Sequence, residues 1–287
     1  SDGRQSAFRM AAPPPRLVVW EQTARGDGNV PPTLQQRMPP LNLSATPPLN
    51  RSLGAMRVDW RVQFDQEVIG FGGAFTEASA LNWLKLSAEH RKEVIRLYFG
   101  KPEDGGLGYT LGRVPINSCD FSPASYSFAN VSGDIDLEHF DTTVAHDVQA
   151  GMIPMLRAAV EEAAADNRRL RIIASPWSPP AWMKIPVEGR QAMTLSAAPT
   201  CLEQRMQRPW ALYFSKFISA YRRHGIDIWA VTVQNEPEAA VGWEACLYTP
   251  EGMASFVAEH LGPTLAKEQP SVLILGFDHN KDHLHAW

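Results

Sequence analysis

The chain has 287 residues, 44% of them hydrophobic, with a net charge of −4 and a pI of about 6.1. That is enough apolar material for one large core, and the lack of a basic stripe argues against nucleic acid as a partner. No apolar run reaches the length of about 18 residues that a membrane-spanning helix needs.

Residues 1–56 are rich in proline. The pairs Pro31-Pro32, Pro39-Pro40 and Pro47-Pro48 stop helices and break central strands. A short strand is expected at 17–20, within a loose leader or part of a small β-domain. From residue 57 the texture changes. Apolar and polar residues alternate over 57–64, as in a half-buried strand. A strand follows at 68–75, opening into Gly70, Gly72 and Gly73. A helical stretch covers 79–99, with Ser87 as an internal N-cap. The next strand is expected at 109–116. Residues 136–165 read as largely helical, interrupted at Gly151 and Pro154. Another strand covers 170–175. A helix over 210–221 gathers Trp210, Tyr213, Phe214, Phe217, Ile218 and Tyr221 on one face. A strand at 228–233 leads to a helix that starts at Thr249-Pro250-Glu251 and runs to about residue 267. The last strand is expected at 272–277.

Strands alternating with helices argue for βα units and a parallel sheet. The strands at 68–75, 109–116, 170–175, 228–233 and 272–277 all end in polar or aromatic residues. These ends are Thr76-Glu77, Asn117-Ser118-Cys119-Asp120, Pro176-Trp177-Ser178, Asn235-Glu236 and Asp278-His279-Asn280. In a (β/α) barrel such ends meet on one face and build the active site. No Gly-x-Gly-x-x-Gly opens a helix after the first strand, so nucleotide binding has little support.

Cys119, Cys201 and Cys246 are too few for a dense disulfide framework and have no metal-site spacing. Cys119 and Cys246 read as buried thiols, with no base placed to activate them. Asn-x-Ser sequons at Asn42, Asn50 and Asn130 permit a secretory or lysosomal setting. The chain starts at Ser1 with no charged-then-apolar leader, so a signal peptide is not expected within it.

The stretch Ile-Trp-Ala-Val-Thr-Val-Gln-Asn-Glu-Pro, ending at Pro237, is an apolar strand that delivers a carboxylate at its C-terminal end. A carboxylate there, beside an amide, is what glycoside cleavage needs as a general acid/base. Five ordered motifs carry a wider resemblance. They are Gly70-Phe71-Gly72-Gly73-Ala74-Phe75-Thr76-Glu77-Ala78, Arg113-Val114-Pro115, Ser118-Cys119-Asp120-Phe121-Ser122, Ala174-Ser175-Pro176-Trp177-Ser178-Pro179-Pro180 and Val233-Gln234-Asn235-Glu236-Pro237. Together they resemble glycoside hydrolase family 30, the family that contains glucosylceramidase.

The resemblance implies a TIM-type (β/α)8 barrel with an accessory β-sandwich, of which this chain holds about the first five βα units. Residues 1–56 then belong to the accessory β-domain and 57–287 to the N-terminal part of the barrel. It also implies retaining hydrolysis of β-glycosides, most readily a glucosylceramidase acting on a glycosphingolipid at a membrane surface, secreted or lysosomal. Glu236 would be the general acid/base, with a raised pKa, and Asn235 would contact the sugar 2-OH. Asp120 would bond sugar hydroxyls, Trp177 would stack on the ring and Arg113 would set the charge of the carboxylates. Structural readings stand beside these: Asp120 as a helix or turn cap, Trp177 as barrel core and Arg113 as a structural ion pair, while Glu77 reads as structural. Asp278 and His279 read as outer pocket residues.

No metal or organic cofactor is expected. The family's nucleophile lies on its seventh strand and is expected beyond Trp287, so this polypeptide alone should have little or no turnover. Related β-xylosidase, β-fucosidase or β-1,6-glucanase activity, or an inactive carbohydrate-binding fragment, remain alternatives.

Overall fold

The computed structural model describes residues 65–287, Val62 and two short strands nearer the N-terminus. Those strands, β1 (Trp20–Glu21) and β2 (Gln36–Arg37), pair antiparallel. The chain divides into two compact units, Ser1–Gln66 and Glu67–Trp287. The strand expected at 57–64 (Val62 apart), that at 17–20 (Trp20 apart) and the sequons at Asn42 and Asn50 lie outside the described residues.

The second unit is built on a five-stranded parallel sheet in the order β3-β4-β5-β6-β7. The strands are β3 (Gly72–Ala74), β4 (Leu111–Ile116), β5 (Arg171–Pro176), β6 (Ile228–Thr232) and β7 (Leu273–Leu275). Spatial order equals chain order, which is the winding of a (β/α) barrel rather than of a doubly wound sheet. The three inner strands lie within two residues of their expected bounds. The outer two are much shorter than expected. Among the described residues each ends the ladder and has one neighbour, so fewer backbone groups are paired, and Leu273 stays 49% exposed.

The helices follow local chemistry. Thr76 caps α1 (Glu77–Leu84) through Ser79 N, and Ser87 caps α2 (Ala88–Phe99) through His90 N. The cap at Ser87 divides the expected helix in two, because an N-cap residue holds an extended backbone. Residues 136–144 are not helical, contrary to expectation. There the acidic side chains take the backbone donors that a helix would use. Asp134 accepts from Glu138 N and His139 N, and Asp141 accepts from Thr143 N and Ala145 N. Helix α3 (Ala145–Gln149) is short, and Gly151 turns the chain at φ +85° into α4 (Met152–Ala165). Pro154 does not interrupt α4. It sits in the first turn, where a missing N–H costs nothing.

Helix α5 (Gln207–Arg223) behaves as its apolar face predicts. Trp210, Tyr213, Phe214, Phe217, Ile218 and Tyr221 are all fully buried. Burial of each large side chain contributes about 2 kcal/mol. After Thr249, α6 (Pro250–Phe256) passes through a π-turn, Val257–Leu261, into α7 (Gly262–Glu268). Pro263 explains the π-turn: it has no N–H and its ring crowds the carbonyl four residues back, so the ladder slips to Gly262 N–Val257 O.

A buried polar network joins α1, α3 and α5. Asp147, fully buried, accepts from Tyr126 Oη at 2.8 Å and from Tyr221 Oη. Its neighbour His146 stacks on Tyr126 and meets Glu77 Oε1 at 2.8 Å. Burial pushes the Asp147 carboxyl up to about 6, although both tyrosine hydrogen bonds pull it down. A carboxyl whose folded pKa stands above its unfolded value stabilises the fold at low pH, and this is lost as pH rises through about 6. Asp147→Asn removes the titrating group and is therefore expected to flatten the fall in melting temperature between pH 4 and 7. Thermal melts across that range check it. An unchanged pH slope would show that the carboxyl is not the titrating group.

Candidate active site

The five strand ends place the candidate residues on one face of the sheet. Arg113, on β4, is the hub. Its Nε donates to Ser175 Oγ on β5 at 3.0 Å. Its Nη2 donates to Asn235 Oδ1 after β6 at 2.8 Å and to Asp278 Oδ2 after β7 at 2.7 Å. The guanidinium carbon also lies 4.5 Å from the centre of the Trp177 ring. One planar cation thus touches the ends of three other strands. Only a delocalised fork can serve such divergent acceptors while stacking on an aromatic face.

Asp278, weighed only as an outer pocket residue from sequence, proves to be the charge partner of Arg113, and the pair is about one quarter exposed. Asn235 is held from both sides: Arg113 takes its side chain, and its backbone N–H donates to Pro176 O at 2.8 Å. Glu236 N donates to Asp278 O, also at 2.8 Å. The backbone at Glu236 is left-handed, φ +46°, which is uncommon for a residue with a Cβ. The clamps onto the loops after β5 and β7 hold it there. The strain presents the carboxylate at the end of β6 rather than continuing the strand.

Trp177 is buried, only 7% exposed, yet stands apart from the main apolar core. Its carbonyl accepts from Gln234 Nε2 at 2.7 Å, which ties the loop after β5 to that after β6. Asp120 is exposed, and its carboxylate makes no hydrogen bond among the described residues. The turn it occupies is closed instead by Ser122 Oγ, which accepts from Cys119 N. The structure therefore joins Arg113, Trp177 and Asn235 directly, reaches Glu236 through backbone bonds, and leaves Asp120 on the neighbouring loop. Glu77 is turned away into its pair with His146.

Supports beneath this face were not read from the sequence. Asn117, at φ +71°, accepts from Tyr213 Oη of α5 and donates to Ser178 O at 3.1 Å. Lys184 is buried, and its Nζ donates to Ser178 Oγ, Met193 O and Ala245 O. The hydroxyl of Ser178 is already donated to Pro179 O, so all three bonds need protons from the amine. Burial pulls Lys184 down to about 7 while nearby Glu244 holds it up. It carries all three protons at acidic pH. Glu244 in turn accepts from Ser125 Oγ at 2.7 Å, linking the loops after β4 and β6.

Cys246 is not a thiol. It forms a disulfide with Cys201, 45 residues away. An odd cysteine count with no short spacing gave no sign of it. Cys119 is the free cysteine among the described residues, and burial pushes its thiol up to about 11. No group of three His, Cys, Asp or Glu side chains suited to a metal ion occurs among the described residues.

Residues 68–287 match the model of the glycosyl hydrolase family 30 TIM-barrel domain. The chain belongs to glycosyl hydrolase family 30. The mouse lysosomal acid glucosylceramidase is 36% identical over 226 residues, 77% of this chain and 42% of that protein. An endo-1,6-β-D-glucanase of Neurospora crassa is 26% identical over 234 residues, 78% of this chain and 46% of that protein. Among solved structures, SrfJ from Salmonella typhimurium aligns with a TM-score of 0.68 at 33% identity, covering 77% of this chain and 46% of SrfJ. The chain spans about two fifths of the length of the first curated relatives it matches. Five strands of a family 30 barrel are therefore described.

Proposed function

We propose that this chain carries the acid/base half of a retaining β-glycosidase of the glucosylceramidase type. The observation that supports this most is the clamped, left-handed Glu236 next to an Asn235 held by Arg113, at a strand end of a family 30 domain. Glu236 is the general acid that protonates the leaving oxygen and later the base that activates water. Asn235, oriented by Arg113, meets the sugar 2-OH. Asp120, with its carboxylate uncommitted, takes sugar hydroxyls. Trp177, stacked on Arg113 and only 7% exposed, meets the pyranose through the small open part of its ring. The nucleophile is assigned to a strand that follows β7.

The mouse relative supports a glucosylceramide-type substrate and a lysosomal location; the lipid part of such a substrate would bring the enzyme to a lipid surface. The fungal relative favours a second reading, cleavage of β-1,6-linked glucan. Aryl β-glucoside, β-xyloside and β-fucoside hydrolysis, run beside glucosylceramide and β-1,6-glucan on a barrel completed with the remaining strands, separates these. Turnover confined to the glucan would overturn the glucosylceramidase reading.

Trp177→Ala is expected to weaken binding of a glucose-configured iminosugar by about tenfold, the loss of one aromatic contact of ~1.4 kcal/mol. Calorimetry on the same barrel measures it. An unchanged affinity would assign Trp177 to loop packing alone.

A further inference from the structure

We infer that Asn130 is an N-glycosylation site, and that the attached N-acetylglucosamine covers a small apolar patch beside it. Asn130, Val131 and Ser132 form an acceptor sequon and are all exposed. They leave the surface just after two buried residues, Phe128 and Ala129. The Ala129 carbonyl is anchored from behind by Trp182 Nε1 at 2.8 Å. The following Gly133 has φ +82°, and a Cβ there would meet nothing within 4 Å, so the turn projects into open space. The Asn130 Oδ1 accepts from Ser127 Oγ at 3.0 Å, whereas its Nδ2, the atom that would carry the sugar, makes no hydrogen bond among the described residues.

Two further observations point the same way. Val131 and Ile135 are 45% and 47% exposed, β-branched side chains left in water on either side of the turn. The acetamido methyl and apolar face of a first sugar would cover such a patch. Independently, the Cys201–Cys246 disulfide fits an oxidising compartment, and the secretory lumen in which N-glycosylation takes place is one such setting. The co-reactant is a lipid-diphosphate-linked oligosaccharide. Asn130 Nδ2 bonds to its anomeric carbon, the anomeric C–O bond to phosphate breaks, the lipid diphosphate leaves, and one amide proton passes to a base. No electrons are exchanged.

This deepens the lysosomal placement proposed above, and the two can fail separately. The chain, led into the secretory pathway of a eukaryotic cell by a cleavable signal, is digested with trypsin. The peptide 114–157 contains a single sequon, at Asn130. Its mass is expected to rise by one N-glycan. Release by an N-glycan amidase in heavy-oxygen water should leave labelled Asp at position 130. Ser132→Ala should abolish the modification and Ser132→Thr should keep it. Because transfer accompanies translocation, the readout does not depend on folding of either variant. A bare Asn130 in signal-cleaved chain overturns the site. A reduced Cys201–Cys246 pair in the protein from its native source would instead overturn the placement.

Discussion

Glu236→Gln, in a complete family 30 barrel that contains this chain, is expected to lower turnover about 10³-fold on substrates with poor leaving groups. Glucosylceramide and alkyl glucosides belong to that class, because their leaving oxygen departs only when protonated. Aryl glycosides with acidic phenols need little proton donation, so their glycosylation step should lose far less. The glutamine keeps the shape of the side chain and both backbone clamps, through Glu236 N and Asn235 N, are independent of the carboxyl. A fold defect is therefore not expected, and circular dichroism can confirm that. Steady-state rates over a series of leaving-group pKa values provide the measurement. Equal losses across the series would remove the acid/base assignment from Glu236.

Arg113→Lys should be nearly as damaging although it keeps the charge. The guanidinium serves Ser175, Asn235 and Asp278 at once and stacks on Trp177. An ammonium is a point charge and cannot present that planar fork. It will be drawn to Asp278 and release Asn235, so the amide loses its fixed aim. A displacement of about 1 Å at a positioned group can cost 10²-fold in rate, and a loss of about that size in kcat/KM is expected. Retention of a melting temperature near that of the native protein would show that the effect is on geometry. Full activity in Arg113→Lys would mean that Asn235 is held well enough by its backbone bond to Pro176.

Most of the parallel sheet was legible because buried inner strands read as apolar runs with polar ends. Position 136–144 misled, since periodicity counts apolar residues but not the carboxylates of Asp134 and Asp141, which capture nearby N–H groups. The outer strands were over-extended because a sequence does not reveal which strand lacks a neighbour. Within the site, motif residues were found by their order along the chain. Their supports were not: Lys184 looks like any surface lysine until the connections after β5 and β6 close over it, and Cys201 and Cys246 pair only through folding. Asp278 lies 165 residues from Arg113, and only the winding of the sheet brings the two together.

The left-handed backbone at Glu236 sets protein engineering and chemistry against each other at a single position. Non-glycine residues in that conformation lose about 1–2 kcal/mol relative to the right-handed region. Selection for thermal tolerance alone would drift this codon toward glycine or asparagine and discard the proposed acid. Variants recovered from such a screen would look improved in every assay except hydrolysis. Any stabilisation campaign on this scaffold should hold the codon constant and seek its gains elsewhere.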